Sequence, residues 1–380
     1  MAPPPGNATV AGARQRILLW FVGILVAAVV LFLLLQARFF LIPLALAILL
    51  FSLTSSMIDF VATRFRFGSA RIPNWLASVV AVLMIATILL ALFGIVSAQI
   101  NTVIATASGY AERSQEAIAA LFAWLGDDVA NAVLAAFRDI DLGAYMRAFA
   151  GSAGNLLTGI ILVILYIGFL FAERPNFSTK LYLLFREPGR AEEVGRIFAA
   201  ISSNVHRYLL VKSAVSLATA LIVYGVFLLF GLDFAEALAS IAFVLNFIPN
   251  IGSIVATALP ALVALVQFGD WPSVLMVLFV VGAVQFGIGN VLDPMLMGRA
   301  LSLSSFAIIL SLTFWGAVWG IAGLFLAVPI MVMVMIVCSH IPSLRKVAIL
   351  LSRDGVPYAK TVHEPDPDKL SPARRRIRRG

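Results

Sequence analysis

Charged residues are scarce in this sequence, and cysteine and histidine are scarcer still. Only 12% of the 380 residues are Asp, Glu, Lys or Arg, about half the share found in soluble globular proteins. The single cysteine, Cys338, allows no internal disulfide. The histidines, His206, His340 and His363, are too far apart to show a metal-ligand spacing. The sequence therefore predicts neither a disulfide framework nor a metal site.

Several enzyme motifs are absent as well. The nucleotide-binding pattern GxxxxGK(S/T) does not occur, and neither do HExxH or GxSxG. We therefore predict no catalytic residues, no cofactor and no enzymatic activity. A transporter built from this chain alone would run on an ion gradient or be passive.

Apolar residues, by contrast, are abundant. They make up 62% of the sequence, against roughly 45–50% in soluble proteins. One membrane crossing takes about 20 apolar residues, and the sequence predicts an all-α, polytopic integral membrane protein with about eight hydrophobic segments. The uncharged runs are Ile17–Leu35, Phe39–Ile58, Ile72–Ala107, Ala148–Ala172, Ser213–Leu232, Ala237–Gly269, Trp271–Leu292 and Ala300–Ser339.

Two of these runs, Ala237–Gly269 and Ala300–Ser339, are too long for one ordinary span. Each has helix breakers near its centre, at Pro249–Gly252 and at Gly316–Gly323. We predict that each folds back as a re-entrant helical hairpin, and that the two enter from opposite faces. The alternative is that each run crosses once as a broken helix.

The distribution of Lys and Arg predicts the orientation. Basic residues concentrate before the first run, in 173–206 and after residue 340, whereas the segment 101–150 is net acidic. By the positive-inside rule, both termini are cytoplasmic and the protein lies in the inner membrane. The net charge of +8 thus indicates membrane lipid as a partner rather than nucleic acid.

This distribution divides the chain into seven regions. The segment 101–150 has apolar residues three and four apart, which predicts an amphipathic helical pair that covers the outer face or contacts another subunit. A similar stripe predicts a cytoplasmic helix that leads into the fifth span. The arginine-rich tail is expected to touch anionic lipid, with a regulatory motif as the alternative. The regions are 1–16 (cytoplasmic N-terminus), 17–100 (spans 1–3), 101–150 (outer segment), 151–172 (span 4), 173–206 (cytoplasmic segment), 207–340 (transport core) and 341–380 (basic cytoplasmic tail).

Polar residues cluster in the middle of the first long run. Asn246, Pro249, Asn250, Gly252 and Ser253 stand at membrane depth in an apolar context. Irregular backbone at that depth is allowed where it is buried in protein or lines an aqueous cavity, and amides in lipid are costly without a use. We predict that these residues line a substrate pathway; the alternative is a tight turn capped by asparagine.

Two charged residues adjoin apolar runs. Asp293 either sits in interfacial water or couples transport to protons or sodium ions, which needs an embedded carboxylate. The stem of Lys212 is expected to snorkel back to the interface; otherwise Lys212 faces the pathway together with Ser216 and Thr219. The candidate hinge or gate positions are Pro260, Gly316, Gly320 and Gly323.

The C-terminal part of the sequence resembles a known family. The run NFIPNIGSIVATALPALVAL (246–265) is similar to the proline-glycine signature of the autoinducer-2 exporter family. The run 290–337, with its DP pair, WG repeat and late AVP, resembles that family's C-terminal signature, and 207–234 is similar to the branch that contains the autoinducer-2 export protein. The resemblance implies a permease and a homo-oligomer, for which a pentamer is one candidate.

The expected function is secondary, non-ATP export of a small polar metabolite. The resemblance points to the quorum-sensing signal autoinducer-2 as one cargo, and to sodium–proton exchange as an alternative, because both are associated with the family. A non-transport membrane scaffold is the other alternative. A cavity lined by Asn246–Ser253 would favour transport, because a scaffold has no need of polar backbone at the midplane.

Overall fold

The computed structural model is helical throughout the part of the chain that it describes, which comprises residues 7–64, 76–95, 97–98, 153–185, 188–297 and 303–355. Within these ranges the only strand-like pairing is an isolated bridge between Leu303 and Ser352. The all-α class predicted from the sequence is confirmed. The predicted helical pair in 101–150 and the arginine cluster of the tail lie outside the described residues.

The described helices are numbered here in chain order. They are α1 (Asn7–Gln36), α2 (Arg38–Arg64), α3 (Leu76–Ile95), α4 (Ala153–Glu173), α5 (Phe177–Leu184), α6 (Pro188–Leu229), α7 (Ala235–Leu245), α8 (Ile251–Phe268), α9 (Trp271–Gly287), α10 (Asp293–Met297), α11 (Ser305–His340) and α12 (Arg345–Leu351).

Eight of the described helices are long and apolar enough to cross a membrane, namely α1 to α4, α6, α8, α9 and α11. Their outer surfaces are covered with apolar side chains, including Trp20, Phe21 and Phe279. Lipid tails are the solvent that such surfaces require. The polytopic architecture predicted from the sequence is therefore present.

Two helices run across predicted region boundaries. Helix α1 begins at Asn7, within the segment 1–16, and its candidate membrane span begins at Leu18. Helix α6 is one element of 42 residues, so the predicted cytoplasmic helix leads into the fifth span without a break, as its apolar stripe predicts. No proline lies in α1, and the proline of α6, Pro188, is its first residue, where proline is tolerated, so both helices continue through the change from polar to apolar sequence.

The first long run folds as a hairpin of α7 and α8, hereafter the first hairpin. A Cβ atom at Gly252 would overlap the carbonyl of Leu245, so the two arms meet at a distance that only glycine permits. The base of the hairpin is closed by Gln267, whose amide nitrogen donates to the carbonyl of Gly231 at 2.7 Å. The amide oxygen of Gln267 accepts the backbone N–H of Asp233 at 2.8 Å.

The second long run, α11, is also folded back, although its hydrogen-bonding pattern reads as one helix of 36 residues. The backbone reverses at Gly320, which has φ 62° and ψ −138°. The hydroxyl of Ser311 donates to the carbonyl of Ala327 at 2.7 Å, whereas sixteen residues of straight helix would separate them by about 24 Å. We call this element the second hairpin.

The base of the second hairpin is closed in the same way as that of the first. The backbone N–H of Ser304, just before the hairpin, donates to the carbonyl of Leu351 in α12 at 2.8 Å. The two arms therefore begin and end on one side. Both long runs are hairpins, as predicted, and the alternative of two single broken crossings is wrong.

The two hairpins face each other. Helix α9 connects the base of the first hairpin to the segment that precedes the second, and at about 1.5 Å per residue its length places the two bases at opposite ends of the bundle. The tip of the first hairpin packs on the second, because the rings of Phe247 and Phe325 lie 4.8 Å apart. Ile248 also shares a buried cluster with Leu312 and Ala327.

Candidate functional site

The tip of the first hairpin borders a cavity of about 570 Å³, which also touches α6, α8, α9 and α10. The stretch from Asn246 to Ser253 therefore lines a cavity and is not packed shut. We call this space the polar cavity. Its polar lining residues include Lys212, Asn246, Asn250, Ser253, Gln285 and Asp293.

A strained turn forms the tip of the first hairpin. Asn250 has φ 62° and ψ −55°, and the backbone N–H of Ile251 donates to the carbonyl of Pro249 at 2.7 Å. This is a γ-turn with positive φ, the rare and strained form. Strained backbone of this kind persists only where the surrounding structure holds it, and it clusters at functional sites.

Asn246 is held in place from the neighbouring helix α6. Its amide nitrogen donates to the hydroxyl of Ser216 at 3.0 Å, in a buried position. Thr219, one turn further along α6, is fully buried and donates to the carbonyl of Val215 at 2.8 Å. Ser216 and Thr219 do not line the polar cavity; Ser216 instead orients a residue that does.

Lys212 and Asp293 form an ion pair at the polar cavity. The Lys212 ammonium lies 2.6 Å from Oδ2 of Asp293, and Lys212 is only 4% exposed. The expectation that Lys212 snorkels to the interface is therefore wrong, because a partner carboxylate is available inside the protein. Asp293 is correspondingly not a lone interfacial carboxylate. A buried charge is tolerated when it is paired in this way.

A π-helical turn brings a residue that the sequence analysis missed onto the same wall as Asp293. Gln285 and Asp293 are eight positions apart, which in a regular α-helix would place them about 80° apart around the axis. The π turn Ile288–Leu292 lies between them and takes up about one extra residue, which removes most of that offset. Both side chains consequently line the polar cavity.

Gln285 could have been noticed in the sequence. It is one of two amide side chains, with Asn290, in the otherwise apolar run Trp271–Leu292, and it continues the buried stripe of Val274, Val277 and Val281 on α9. That stripe has helical spacing, so a polar residue in it indicates either a satisfied core position or a site. The π turn, by contrast, carries no signal in the sequence.

The candidate hinge residues have different surroundings. Gly320 is the turning point of the second hairpin, and a Cβ atom at Gly323 would overlap the carbonyl of Trp315. A Cβ atom at Gly316 would lie 2.8 Å from Cδ2 of Leu324. These glycines therefore allow the two arms to pack closely. Pro260, in contrast, is buried inside α8 without interrupting it.

A second, mostly apolar cavity of about 600 Å³ lies between the hairpins. Pro249 and Asn250 line it as well as the polar cavity. The second hairpin contributes residues that include Leu312, Gly316 and Gly320. The strained tip of the first hairpin thus stands between a polar and an apolar space. Among the described residues, no group of three His, Cys, Asp or Glu side chains is placed to hold a metal ion.

The sequence matches a family of transporters over most of its length. The profile of AI-2E family transporters matches residues 18–343. The AI-2 transport protein TqsA of Escherichia coli K12 is 31% identical over 288 residues, which is 74% of this chain and 82% of that protein. A Borreliella burgdorferi protein named "Putative transport protein" is 33% identical over 221 residues, which covers 56% of this chain and only 60% of that relative. The chain belongs to the AI-2E family of transporters.

Proposed function

We propose that this protein is a secondary transporter that exports a small polar metabolite through the polar cavity. The observation that carries the proposal is the position of that cavity, at the broken tip of a re-entrant hairpin. Its wall bears asparagine, serine, glutamine and a compensated ion pair. Secondary transporters commonly build their substrate sites from discontinuous helices near the midplane. A membrane scaffold would have no use for such a polar cavity.

The size of the cavity suits a small cargo. Small-molecule sites usually have volumes of about 300–1,000 Å³, and the polar cavity has about 570 Å³. The name of the Escherichia coli relative specifies AI-2. We therefore propose autoinducer-2, a quorum-sensing signal, as the first cargo to test.

The proposal is tested by removing the amides at the tip of the first hairpin. Asn246→Leu combined with Asn250→Leu should leave membrane insertion intact, because it removes polar groups from an apolar setting. Autoinducer-2 efflux from cells and from proteoliposomes should fall to the background of the empty membrane. Thr313→Leu, on the second hairpin, is the matched control and should retain efflux, because the Thr313 hydroxyl bonds only to its own helix at Ile309.

Efflux at the wild-type rate from the double variant would contradict the assignment of the polar cavity as the route. If the wild-type protein exported another metabolite and no autoinducer-2, the proposed cargo would be wrong and the proposed transport function would stand. A deletion strain compared with its complemented parent provides that metabolite survey.

Sodium–proton exchange is the competing function. Among the described residues, Asp293 is the only carboxylate at the polar cavity, and Lys212 pairs with it. An exchanger needs a carboxylate that alternates between a proton and a cation, and the pairing disfavours that use. Coupling of metabolite export to protons or sodium ions through Asp293 stays a prediction.

We further propose that the protein lies in the inner membrane with both termini cytoplasmic. In a Cys338→Ser background, Asp270→Cys at the base of the first hairpin should react with an impermeant thiol reagent in intact cells. Arg353→Cys, near the base of the second hairpin, should react only after the membrane is opened. The reverse labelling pattern would invert the orientation. A homo-oligomer, with the pentamer as one candidate, stays a prediction.

A further inference from the structure

We infer that Gln285 is a specificity-determining residue of the polar cavity, and that its amide nitrogen binds an oxygen atom of an uncharged solute. This inference rests on the proposed function, because it identifies the chemistry of a solute that enters the cavity. Two observations carry it: the burial of an amide without a protein partner, and the charge balance of the cavity wall.

The first observation concerns the position of Gln285 on α9. The neighbouring members of its buried stripe are Val277, Val281 and Ile288, so packing alone would be served by another apolar residue. Gln285 is 4% exposed. Its amide nitrogen is buried and has no hydrogen-bond partner among the described residues. A buried polar group without a partner is unfavourable, which indicates that the partner is a molecule in the cavity.

The second observation concerns charge. Lys212 and Asp293 are the charged residues that line the described part of the cavity, and they compensate each other at 2.6 Å. An ionic solute would compete with one member of the pair and leave the other unpaired in a buried setting, which is strongly unfavourable. The cavity therefore favours a solute without net charge.

The unpartnered atoms then define which polar groups the solute must carry. The Gln285 amide nitrogen is a donor and requires a carbonyl or hydroxyl oxygen. Oδ1 of Asp293 is also buried without a partner among the described residues, and it accepts from a hydroxyl group. The two residues lie about 12 Å apart along the helix axis, so they form successive contacts on one wall. The chemical class is an uncharged, hydroxylated solute with a free acceptor oxygen.

The test measures transport kinetics of autoinducer-2 in proteoliposomes that contain the full-length protein. Gln285→Met keeps the length of the side chain and removes the donor. We expect it to raise KM about tenfold, as the loss of one buried hydrogen bond implies, with the maximal rate within about twofold of wild type. Gln285→Asn keeps the donor and should recover part of that loss. Gln36→Met, at the exposed end of α1, should change neither constant.

A merely structural role for Gln285 would give a different pattern. Gln285→Met would then lower the amount of folded protein or the maximal rate and leave KM unchanged, and Gln285→Asn would not improve KM. Either result, or wild-type kinetics in Gln285→Met, would overturn the inference.

A second measurement separates this inference from the proposed cargo. Gln285→Cys in a Cys338→Ser background should react with a small water-soluble thiol reagent, and a solute that occupies the cavity should slow the reaction. The solutes are autoinducer-2, glycerol, erythritol and ribose, with acetate and choline as ionic controls. If a hydroxylated solute protects the cysteine but the protein does not transport autoinducer-2, autoinducer-2 is refuted as the cargo and the role of Gln285 is supported. No reaction, or no protection by any uncharged solute, would overturn that role.

Discussion

The two hairpins have the same architecture and different tips. In both, the arms begin and end on one side of the bundle, and a hydrogen bond across the base holds them together. The first tip consists of Asn246–Asn250, has a strained turn at Asn250 and borders the polar cavity. The second tip turns at Gly320 and borders the apolar cavity. The same fold thus presents polar side chains at one tip and closely packed glycines near the other.

This difference shows how backbone reversal inside a membrane protein is achieved in two ways. At Gly320 the reversal requires glycine because φ 62° and ψ −138° lie in a region that residues with a side chain rarely adopt, although nothing lies within 4 Å of a Cβ atom there. At Asn250 the reversal is achieved by a residue that adopts positive φ less readily than glycine, although more readily than most other residues, and that bears an amide. Retaining that amide in place of glycine is expected if the side chain has a task in the cavity.

The largest expected effect tests the packing that the two hairpins share. Gly323→Ala should destabilise the protein by about 3 kcal/mol or more, because overpacking against backbone cannot relax by a change of rotamer. Thermal unfolding of the detergent-solubilised protein measures this effect, and Gly252→Ala should behave similarly. Gly225→Ala is the control, since nothing lies within 4 Å of a Cβ atom there. Equal melting temperatures for Gly323→Ala and Gly225→Ala would refute the close contact of the arms.

A somewhat smaller effect is expected at the ion pair, which lines the polar cavity beside the first hairpin. Lys212→Met should destabilise the protein by about 2 kcal/mol, because it leaves the Asp293 carboxylate, whose side chain is 20% exposed, without its partner. Adding Asp293→Asn should recover most of that stability.

If Asp293 couples transport to an ion, Asp293→Asn alone should abolish the dependence of efflux on pH or sodium. Unchanged ion dependence would locate any coupling elsewhere.

The smallest effect contrasts the two turning points directly. Asn250→Gly should stabilise the protein by about 1 kcal/mol, because glycine adopts positive φ without strain. Gly320→Ala should destabilise it by about 1 kcal/mol or more for the opposite reason. Efflux should fall in Asn250→Gly despite its higher melting temperature, since the amide is lost. A stabilised variant with wild-type efflux would show that Asn250 is a turn residue only.

Much of the site was accessible to prediction because membranes make polar residues conspicuous. Asn246, Asn250 and Ser253 stand out in an apolar run, and the structure places all three at the polar cavity. Gln285 stands out for the same reason but was not recognised as a candidate. The prediction that Lys212 snorkels to the membrane interface is wrong, because its partner Asp293 is 81 residues away in sequence. An ammonium group can be stabilised either by interfacial water or by a carboxylate inside the protein, and local sequence does not distinguish the two.

The sequence by itself determined the membrane setting, the helical class and the positions where the long runs reverse. Those features follow from local composition and from breakers such as Pro249 and Gly320, whose effects on the backbone need no distant partner. Only the tertiary structure decided that Ser216 holds Asn246, that Lys212 pairs with Asp293, and that a π turn rotates Asp293 onto the face of Gln285. These relations depend on how α6 and α9 pack around the first hairpin, and such packing is set by contacts between residues far apart in the chain.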